Sequence, residues 1–321
     1  MTPRHLLVAD WFARDFTLEE EALGPIGATW SLPDPTASAP SREQQVERLL
    51  DRIRRAERID AVLFVLAPLT TAVIDALPPE CRLLQRVGIG LDTVDLDAAR
   101  RRGITVDNTP DYATEEVAVH ALAMILSLHR QLDATQRRLL AGTWSSQSPL
   151  PIERLSTQTL GLVGLGRIGR KLADLCRPLF GRVLVADPAA RDVPDWIERV
   201  DLRRLLQESD VVSLHCPLLP ETRHLIDESA LARMKPTATL INVARGGVVD
   251  ADALATALRD RRIAAAALDV YEPEVLAADS PLRPLDNVIL TSHTAWYSRQ
   301  STRDCRSQAI EKVVRAFQQG A

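Results

Sequence analysis

The 321-residue chain lacks the features that hold small secreted proteins together or anchor proteins in membranes. Its four cysteines lie far apart with no C-x-x-C pair, which indicates neither a disulfide framework nor a zinc site. No apolar run reaches the ~18 residues that cross a bilayer, and the N-terminus runs directly into a strand-like segment rather than a secretory signal. The net charge of −4 argues against nucleic acid or an acidic membrane surface as a partner. We therefore expect a cytoplasmic protein without a metal site.

What the chain does have is a regular alternation of apolar and amphipathic segments. Residues 6–9 and 61–66 are typical of buried strands, with an Arg- and Glu-rich helix over residues 42–57 between them. Strands and helices alternate again from residue 160 onward, as a doubly wound sheet requires. With 46% hydrophobic residues the chain can bury two cores. The sequence thus predicts an α/β fold with two doubly wound parallel sheets.

A glycine motif follows the apolar run of residues 160–163. Gly164 permits a tight turn, Gly166 lets the backbone approach a pyrophosphate, and Gly169 lets a helix pack on the strand. The start of that helix supplies unpaired N–H groups and a partial positive charge for the phosphates. The motif predicts a dinucleotide site, and an ordinary glycine turn is the alternative that it leaves open.

A second strand-like run, residues 182–186, ends at Asp187. A carboxylate at this point can hold the 2′-hydroxyl of an adenosine ribose, and it repels the 2′-phosphate of NADP. The next residue is Pro188 and not an arginine, so the pair favours NAD. The alternative is an acid that caps the turn after the strand.

Each of the last three strand-like runs is followed by a reactive side chain: Arg245, then Glu272 with Glu274, then His293. A guanidinium at the carboxyl edge of a parallel sheet suits a carboxylate ligand. An imidazole suits proton transfer near neutral pH. Each group also has a structural alternative, namely a surface arginine, a turn acid and a core histidine.

Together these motifs resemble the D-isomer-specific 2-hydroxyacid dehydrogenase family over residues 83–317. The resemblance rests on the glycine motif, on Asn-x-Ala-Arg-Gly-Gly, on Leu-Asp-Val-x-Glu-x-Glu and on the late histidine. Residues 292–300 are similar to the subset that contains the C-terminal-binding-protein (CtBP) corepressors. The resemblance implies the catalytic set Arg245, Glu274 and His293, and its spacing selects Glu274 over Glu272.

These roles are chemically reasonable. Reduction of a 2-oxo acid needs a hydride at C2 and a proton for the oxygen, and a histidine can donate that proton. A carboxylate on the far ring nitrogen favours the imidazolium form and fixes the tautomer. We therefore expect Glu274 to orient and charge His293 while Arg245 holds the substrate carboxylate. In the oxidation direction the same histidine begins neutral and acts as the base.

Further residues are expected at the substrate. The turn Gly88-Ile89-Gly90 can present backbone N–H groups to a carboxylate. Arg86 matches a CtBP-like position in the substrate pocket, with a solvated strand-edge arginine as the alternative. Trp296 is expected to form a wall of that pocket, with packing at a helix start as the alternative.

Further residues are also expected at the cofactor. The segment after the strand that ends at residue 214 should pass under the adenosine, with His215 more structural than acidic. By resemblance, Asp269 accepts a hydrogen bond from the nicotinamide amide. The remaining expected cofactor-binding residues are Arg167, Ile168, Cys216, Pro217, Thr222, Val243, Ala244 and Ala295, together with Arg245 and His293 of the catalytic set.

Two departures from the family pattern bear on the substrate. Proline is usual after the catalytic glutamate and before the catalytic histidine, where this chain has Val275 and Ser292, so these loops are expected to be less rigid. Most members also lack a bulky residue at Trp296. This disfavours glyoxylate and favours 2-oxo acids with a longer or apolar side chain.

The sequence leaves two functions open. One is a dehydrogenase that reduces a 2-oxo acid with NADH, and the other is a CtBP-like NAD(H)-sensing scaffold with little turnover. The expected domains are a discontinuous substrate domain, 1–105 with 295–321, and a Rossmann domain, 106–294, with the active site in a cleft and a hinge that closes it. By resemblance, the helix predicted from about Thr114 to Gly142 forms the contact of a homodimer.

Overall fold

The computed structural model describes residues 3–13, 15–34, 41–148 and 151–319. Within these ranges the strands are β1 His5–Val8, β2 Thr29–Ser31, β3 Ala61–Phe64, β4 Leu83–Arg86, β5 Thr105–Asp107, β6 Thr159–Val163, β7 Arg182–Ala186, β8 Ile197–Arg199, β9 Val211–Leu214, β10 Thr239–Asn242, β11 Ala265–Leu268 and β12 Val288–Leu290. The helices are α1 Thr17–Leu23, α2 Arg42–Arg55, α3 Thr71–Ala76, α4 Leu96–Arg101, α5 Thr114–Arg130, α6 Leu132–Leu140, α7 Arg167–Cys176, α8 Leu202–Glu208, α9 Glu228–Leu231, α10 Ala251–Arg259 and α11 Arg299–Gln319.

The chain divides into two compact units, Met1–Tyr112 with Ser298–Ala321 and Ala113–Tyr297. Residues 106–112, which the sequence assigned to the second unit, belong to the first because β5 pairs with β4 in its sheet. Residues 295–297 belong to the second, where the N–H of Ala295 donates to the carboxylate of Asp269.

Unit one is built on a parallel sheet with strand order β2-β1-β3-β4-β5. Residues of β3 and most of β1 and β4 are buried, as expected of parallel strands covered on both faces. Helix α11, from the C-terminal segment, packs against α1 and β4 and completes the core of this unit.

A buried ion pair ties α11 to α1. Two N–H groups of Arg306 donate to the carboxylate of Glu19, at 2.8 and 2.7 Å. The guanidinium also lies 3.1 Å from a carboxylate oxygen of Asp15 and 5.5 Å from the ring centroid of Trp11. Its neighbours therefore raise the pKa of Arg306, with the hydrogen bond that it donates to Glu19 as the largest cause.

Unit two contains a parallel sheet of strand order β12-β11-β10-β9-β6-β7-β8. The strand order reverses between β6 and β9, which lie side by side with Val163 opposite Leu214. In open α/β sheets such a switch point is where dinucleotides bind. The predicted class of two doubly wound parallel sheets is thus what the chain adopts.

The long helix predicted over residues 114–142 is two helices. Helix α5 ends at Arg130, the next residue, Gln131, has φ of +52°, and α6 begins at Leu132. Neither glycine nor proline stands at the break, so the apolar pattern continues across it and predicts a single helix. No helix in the described parts of the chain combines the length and apolar character that would carry it across a bilayer.

Candidate active site

The turn between β6 and α7 lies at the switch point. Gly164 has φ of +98°, which glycine adopts without strain, and an added Cβ would lie 2.8 Å from the carbonyl carbon of His215. An added Cβ at Gly169 would lie 2.6 Å from the carbonyl oxygen of Gly164, so only glycine lets α7 pack here. At Gly166 an added Cβ meets no described atom within 4 Å. The backbone is open to a ligand there, where Arg167 and Ile168 begin α7.

Asp187 directly follows β7 and bridges two turns. One carboxylate oxygen accepts the N–H of Leu165 in the glycine turn and the other accepts the N–H of Ala189, both at 2.8 Å. Arg199 donates to the carbonyl oxygens of Asp187 and Pro188, at 3.0 and 3.2 Å. The carboxylate thus caps its turn, and each oxygen keeps a lone pair that a ribose hydroxyl can use.

The segment after β9 lies beside the glycine turn. His215 Nε2 shares a hydrogen bond of 2.9 Å with Ser213 Oγ, and burial lowers the pKa of His215 to about 4. The ring is therefore neutral at physiological pH, which suits a structural role. The hydroxyl of Thr222 donates to the carbonyl oxygen of Pro217 at 2.6 Å and fixes the loop, while burial raises the pKa of Cys216 to about 11.

The last residues of three adjacent strands are in register. Asn242 of β10 stands opposite Leu268 of β11, which stands opposite Leu290 of β12. The three segments that follow carry the predicted guanidinium, carboxylate and imidazole. All three groups therefore leave the sheet at one edge, although they are far apart in sequence.

Asn242 fixes the turn that carries Arg245. Its side-chain N–H donates to the carbonyl oxygen of Arg245 at 2.9 Å, and its amide oxygen accepts the N–H of Ala244 at 3.0 Å. The residue between them, Val243, is buried, and Arg245 is half-buried with one Nη–H donating to the carbonyl oxygen of Ala244 at 2.7 Å. The turn presents its guanidinium at the carboxyl edge of the sheet.

Glu274 and His293 form a hydrogen-bonded pair. Oε1 of Glu274 bonds Nδ1 of His293, and both side chains are partly exposed. The neighbouring acid, Glu272, pairs instead with Arg223 at 2.7 Å and lies 3.6 Å from His224. Of the two acids, the structure brings only Glu274 to the imidazole.

Asp269 holds the turn that contains His293. The carbonyl oxygen of Asp269 accepts the N–H of His293 at 2.8 Å. Its buried carboxylate accepts the N–H groups of Thr294 and Ala295, both at 2.9 Å, and the hydroxyl of Thr291 at 2.5 Å. Oδ1 has two of these donors and Oδ2 has one, which leaves an acceptor position on Oδ2 for a nicotinamide amide.

Trp296 follows this turn and pairs with its neighbour. The rings of Trp296 and Tyr297 meet edge to face, with centroids 5.7 Å apart at 87°. Tyr297 is largely exposed and Trp296 is half-buried. The pair places bulky aromatic surface immediately after the turn that carries His293.

In unit one, the Gly88 turn differs in part from expectation. Not all its N–H groups can reach a ligand, because the N–H of Gly88 donates to Thr109 Oγ1 at 2.7 Å and its carbonyl oxygen accepts the N–H of Thr109. Arg86 Nε donates to the carbonyl oxygen of Gly90 at 3.0 Å. In the described structure the N–H groups of Ile89 and Gly90 have no protein acceptor, so a carboxylate can take those two.

Sequence reasoning missed two residues that shape these turns. Asn242 stands in the quoted Asn-x-Ala-Arg-Gly-Gly motif, and an amide at the end of a strand is a signal for a capped turn. Thr109 has no such signal, because it bonds the Gly88 turn from a distant part of unit one.

Comparisons with known proteins agree with this geometry. A family model described as "D-isomer specific 2-hydroxyacid dehydrogenase, NAD binding domain" matches residues 122–295. The chain is 37% identical over 287 residues to a glyoxylate reductase of Korarchaeum cryptofilum, covering 88% of this chain and 84% of the relative. It is 43% identical over 243 residues to an (S)-sulfolactate dehydrogenase of Chromohalobacter salexigens, covering 74% and 78%.

A similar solved structure is that of a D-lactate dehydrogenase from Aquifex aeolicus, complexed with NAD and lactic acid. Its TM-score is 0.84 at 30% identity, and the match covers 99% of this chain and 96% of that one. The match includes the glycine turn of residues 164–169 and the three segments that carry Arg245, Glu274 and His293.

Proposed function

We propose that the chain, which belongs to the D-isomer-specific 2-hydroxyacid dehydrogenase family, reduces a 2-oxo acid to the D-2-hydroxy acid, reversibly, with His293 as acid and base. As a member of this family it is an NAD-dependent oxidoreductase that acts on the CH–OH group of 2-hydroxy acids. The observation that carries the proposal is the Glu274–His293 pair. The segments that carry Glu274 and His293 leave the sheet at the same carboxyl edge as the segment that carries Arg245.

In the reduction direction the ring of His293 donates a proton to the oxygen at C2. Glu274 occupies Nδ1, so Nε2 is the nitrogen that serves the substrate. The carboxylate fixes the orientation of the ring and so directs Nε2 outward to the substrate. In the oxidation direction the neutral ring accepts the hydroxyl proton. Arg245 binds the substrate carboxylate.

The residues of unit two fit NAD. The open backbone at Gly166 and the first turn of α7 receive the pyrophosphate, and Asp187 receives the adenosine ribose. Asp269 has the acceptor position on Oδ2 for the nicotinamide amide. When bound, the reduced cofactor NADH supplies the hydride for reduction, and the oxidised NAD+ takes it up in oxidation.

The substrate class that we propose is a 2-oxo acid with an apolar side chain longer than a methyl group. Trp296 and Tyr297 supply aromatic surface beside His293. Aromatic surface next to a ligand-binding edge is typical of a site for an apolar group.

The experiment is a screen of 2-oxo acids for NADH oxidation, followed by chiral analysis of the product. Turnover of a branched or aromatic 2-oxo acid to the D-product, with glyoxylate much slower, supports the proposal. Formation of the L-product contradicts it. Tight NADH binding without turnover of any 2-oxo acid supports the CtBP-like scaffold instead.

We propose further that the protein is a homodimer that uses α6 and the segment after it. The described structure buries no residue of α6, and its large apolar side chains are exposed together with one tryptophan beyond it. These are Leu132 (58%), Leu139 (52%), Leu140 (78%) and Trp144 (86%). An apolar surface of this kind is typical of a protein–protein contact.

A further inference from the structure

His120 lies on α5, outside the residues assigned to the reaction, yet its ring reaches the segment that precedes His293. Its Nε2 is 3.3 Å from Oγ1 of Thr291 and 3.8 Å from Oδ1 of Asp269. Helix α5 packs against β10, β11 and α7, so the imidazole enters this region from a rigid element. The side chain is only one-quarter exposed.

The direction of the hydrogen bonds follows from counting protons. Thr291 has a single hydroxyl proton, and that proton is donated to Oδ1 of Asp269 at 2.5 Å. Oγ1 of Thr291 can therefore only accept from His120. Nε2 of His120 must carry the hydrogen, which gives a chain of donors from the imidazole through the hydroxyl to the carboxylate.

The carboxylate at the end of this chain controls the backbone of the catalytic turn. His293 has φ of +54°, a conformation that is uncommon for residues other than glycine. Asp269 holds this turn through three consecutive N–H groups, those of residues 293–295. A backbone of this kind persists only when its surroundings fix it.

We propose that His120 is a positioning residue for the reaction: it donates to Thr291, aligns the hydroxyl on Asp269 and so fixes the turn that presents the His293 imidazole. The inference rests on the proposed role of His293. What the position requires is a hydrogen-bond donor at Nε2. A glutamine, whose amide N–H occupies the same place, therefore meets the requirement, and a leucine of similar bulk does not.

The first test compares H120L with H120Q. In H120L we expect kcat for the 2-oxo acid to fall about tenfold, because the imidazole of His293 is displaced from its reactive geometry. We expect hydrogen–deuterium exchange at residues 293–295 to quicken about tenfold, because local opening becomes easier. H120Q restores both quantities. The matched control is H129L on the same helix, which leaves the exchange of residues 293–295 unchanged.

The second test is a double-mutant cycle with T291V, which removes the hydroxyl and retains the shape of the side chain. If His120 acts through Thr291, H120L adds no further loss of kcat and no further exchange in the T291V background. Additive losses overturn the proposal, as does unchanged exchange in H120L. The exchange measurement needs no substrate, so it decides the role of His120 even if the wild-type protein turns over none of the 2-oxo acids and the proposed function fails. Thermal midpoints identify a variant that is merely unfolded.

Discussion

Glu274 bonds the Nδ1 atom of His293, and the two side chains stand as one unit at the edge of the sheet although 19 residues separate them. Within the described structure no protein group bonds Nε2, so this is the atom that can meet a substrate. In the proposed reaction, Nδ1 therefore serves to orient the ring and Nε2 to transfer the proton.

Replacing Glu274 by glutamine removes the negative charge and keeps the shape. We expect kcat for reduction to fall about a hundredfold, because the imidazole of His293 loses the carboxylate that orients it. The control is E272Q, since Glu272 pairs with Arg223. A kcat that E274Q leaves unchanged contradicts the assigned role.

Replacing Arg245 by glutamine should weaken binding of the substrate and not of the cofactor. We expect KM for the 2-oxo acid to rise about a hundredfold, because a charge-assisted contact to its carboxylate is lost. The dissociation constant for NADH, followed by fluorescence, should change little. R261Q, which removes an exposed partner of Asp286, is the control. Equal weakening of both ligands contradicts the prediction.

Replacing Asp187 by serine should alter the choice of cofactor. The carboxylate that repels a 2′-phosphate is lost, while Arg199 stays near the carbonyl oxygens of Asp187 and Pro188. We expect the ratio of kcat/KM for NADPH to that for NADH to rise about tenfold or more. The same ratio measured for D174N, on the exposed face of α7, should stay at the wild-type value.

Asp60 should make the stability of unit one pH-dependent. Burial alone would raise the pKa of Asp60, but bonds from Arg58 and Arg4 and from the N–H of His5 outweigh it, so the pKa lies below its usual 3.8. A carboxylate whose pKa is lowered on folding stabilises the protein above its unfolded pKa, and the contribution disappears as the pH falls through the folded value.

We expect D60N to lower the free energy of unfolding by about 2 kcal/mol at pH 7, which is less than the loss for a fully buried ion pair because both arginines are partly exposed. The difference in the free energy of unfolding between wild type and D60N should become smaller below about pH 4. Urea unfolding of the two proteins at pH 7 and pH 3 measures both effects. D51N, which breaks an exposed pair with Arg54, should cost less than about 0.5 kcal/mol. A difference in the free energy of unfolding that stays constant with pH contradicts the role of Asp60.

Replacing Leu140 by aspartate should dissociate the proposed dimer, because a charge is placed in an apolar contact. Light scattering after size exclusion gives the mass of wild type and variant. L96D, which alters an exposed leucine of unit one, leaves the mass unchanged. A wild-type protein that runs as a monomer contradicts the dimer without touching the assignment of the catalytic residues.

The family, the fold class and the use of NAD are confirmed. The strands that sequence identifies are those with continuous apolar runs, as in β6 and β7, because a parallel strand buried on both faces needs them. The three-residue edge strands β2 and β8 carry no such run and have one neighbour each, so local pattern does not reveal them.

Within the candidate site, the sequence identifies the reactive side chains but not the hydrogen bonds that fix the turns around them. Glu274 is distinguished from Glu272 by family spacing, and the structure pairs it with His293. The bond from Gly88 to Thr109 and the contact of His120 with Thr291 join distant positions in the chain. Such bonds depend on which elements pack together, which no local pattern of residues specifies.

The backbone conformation of His293 determines which substitution can abolish activity without disturbing the turn. Asparagine accepts positive φ more readily than most residues, so H293N keeps the turn while deleting the ionisable ring. Valine at the same place would add β-branched strain to the chemical loss. The asparagine variant is therefore the form in which to trap cofactor and 2-oxo acid together for crystallography.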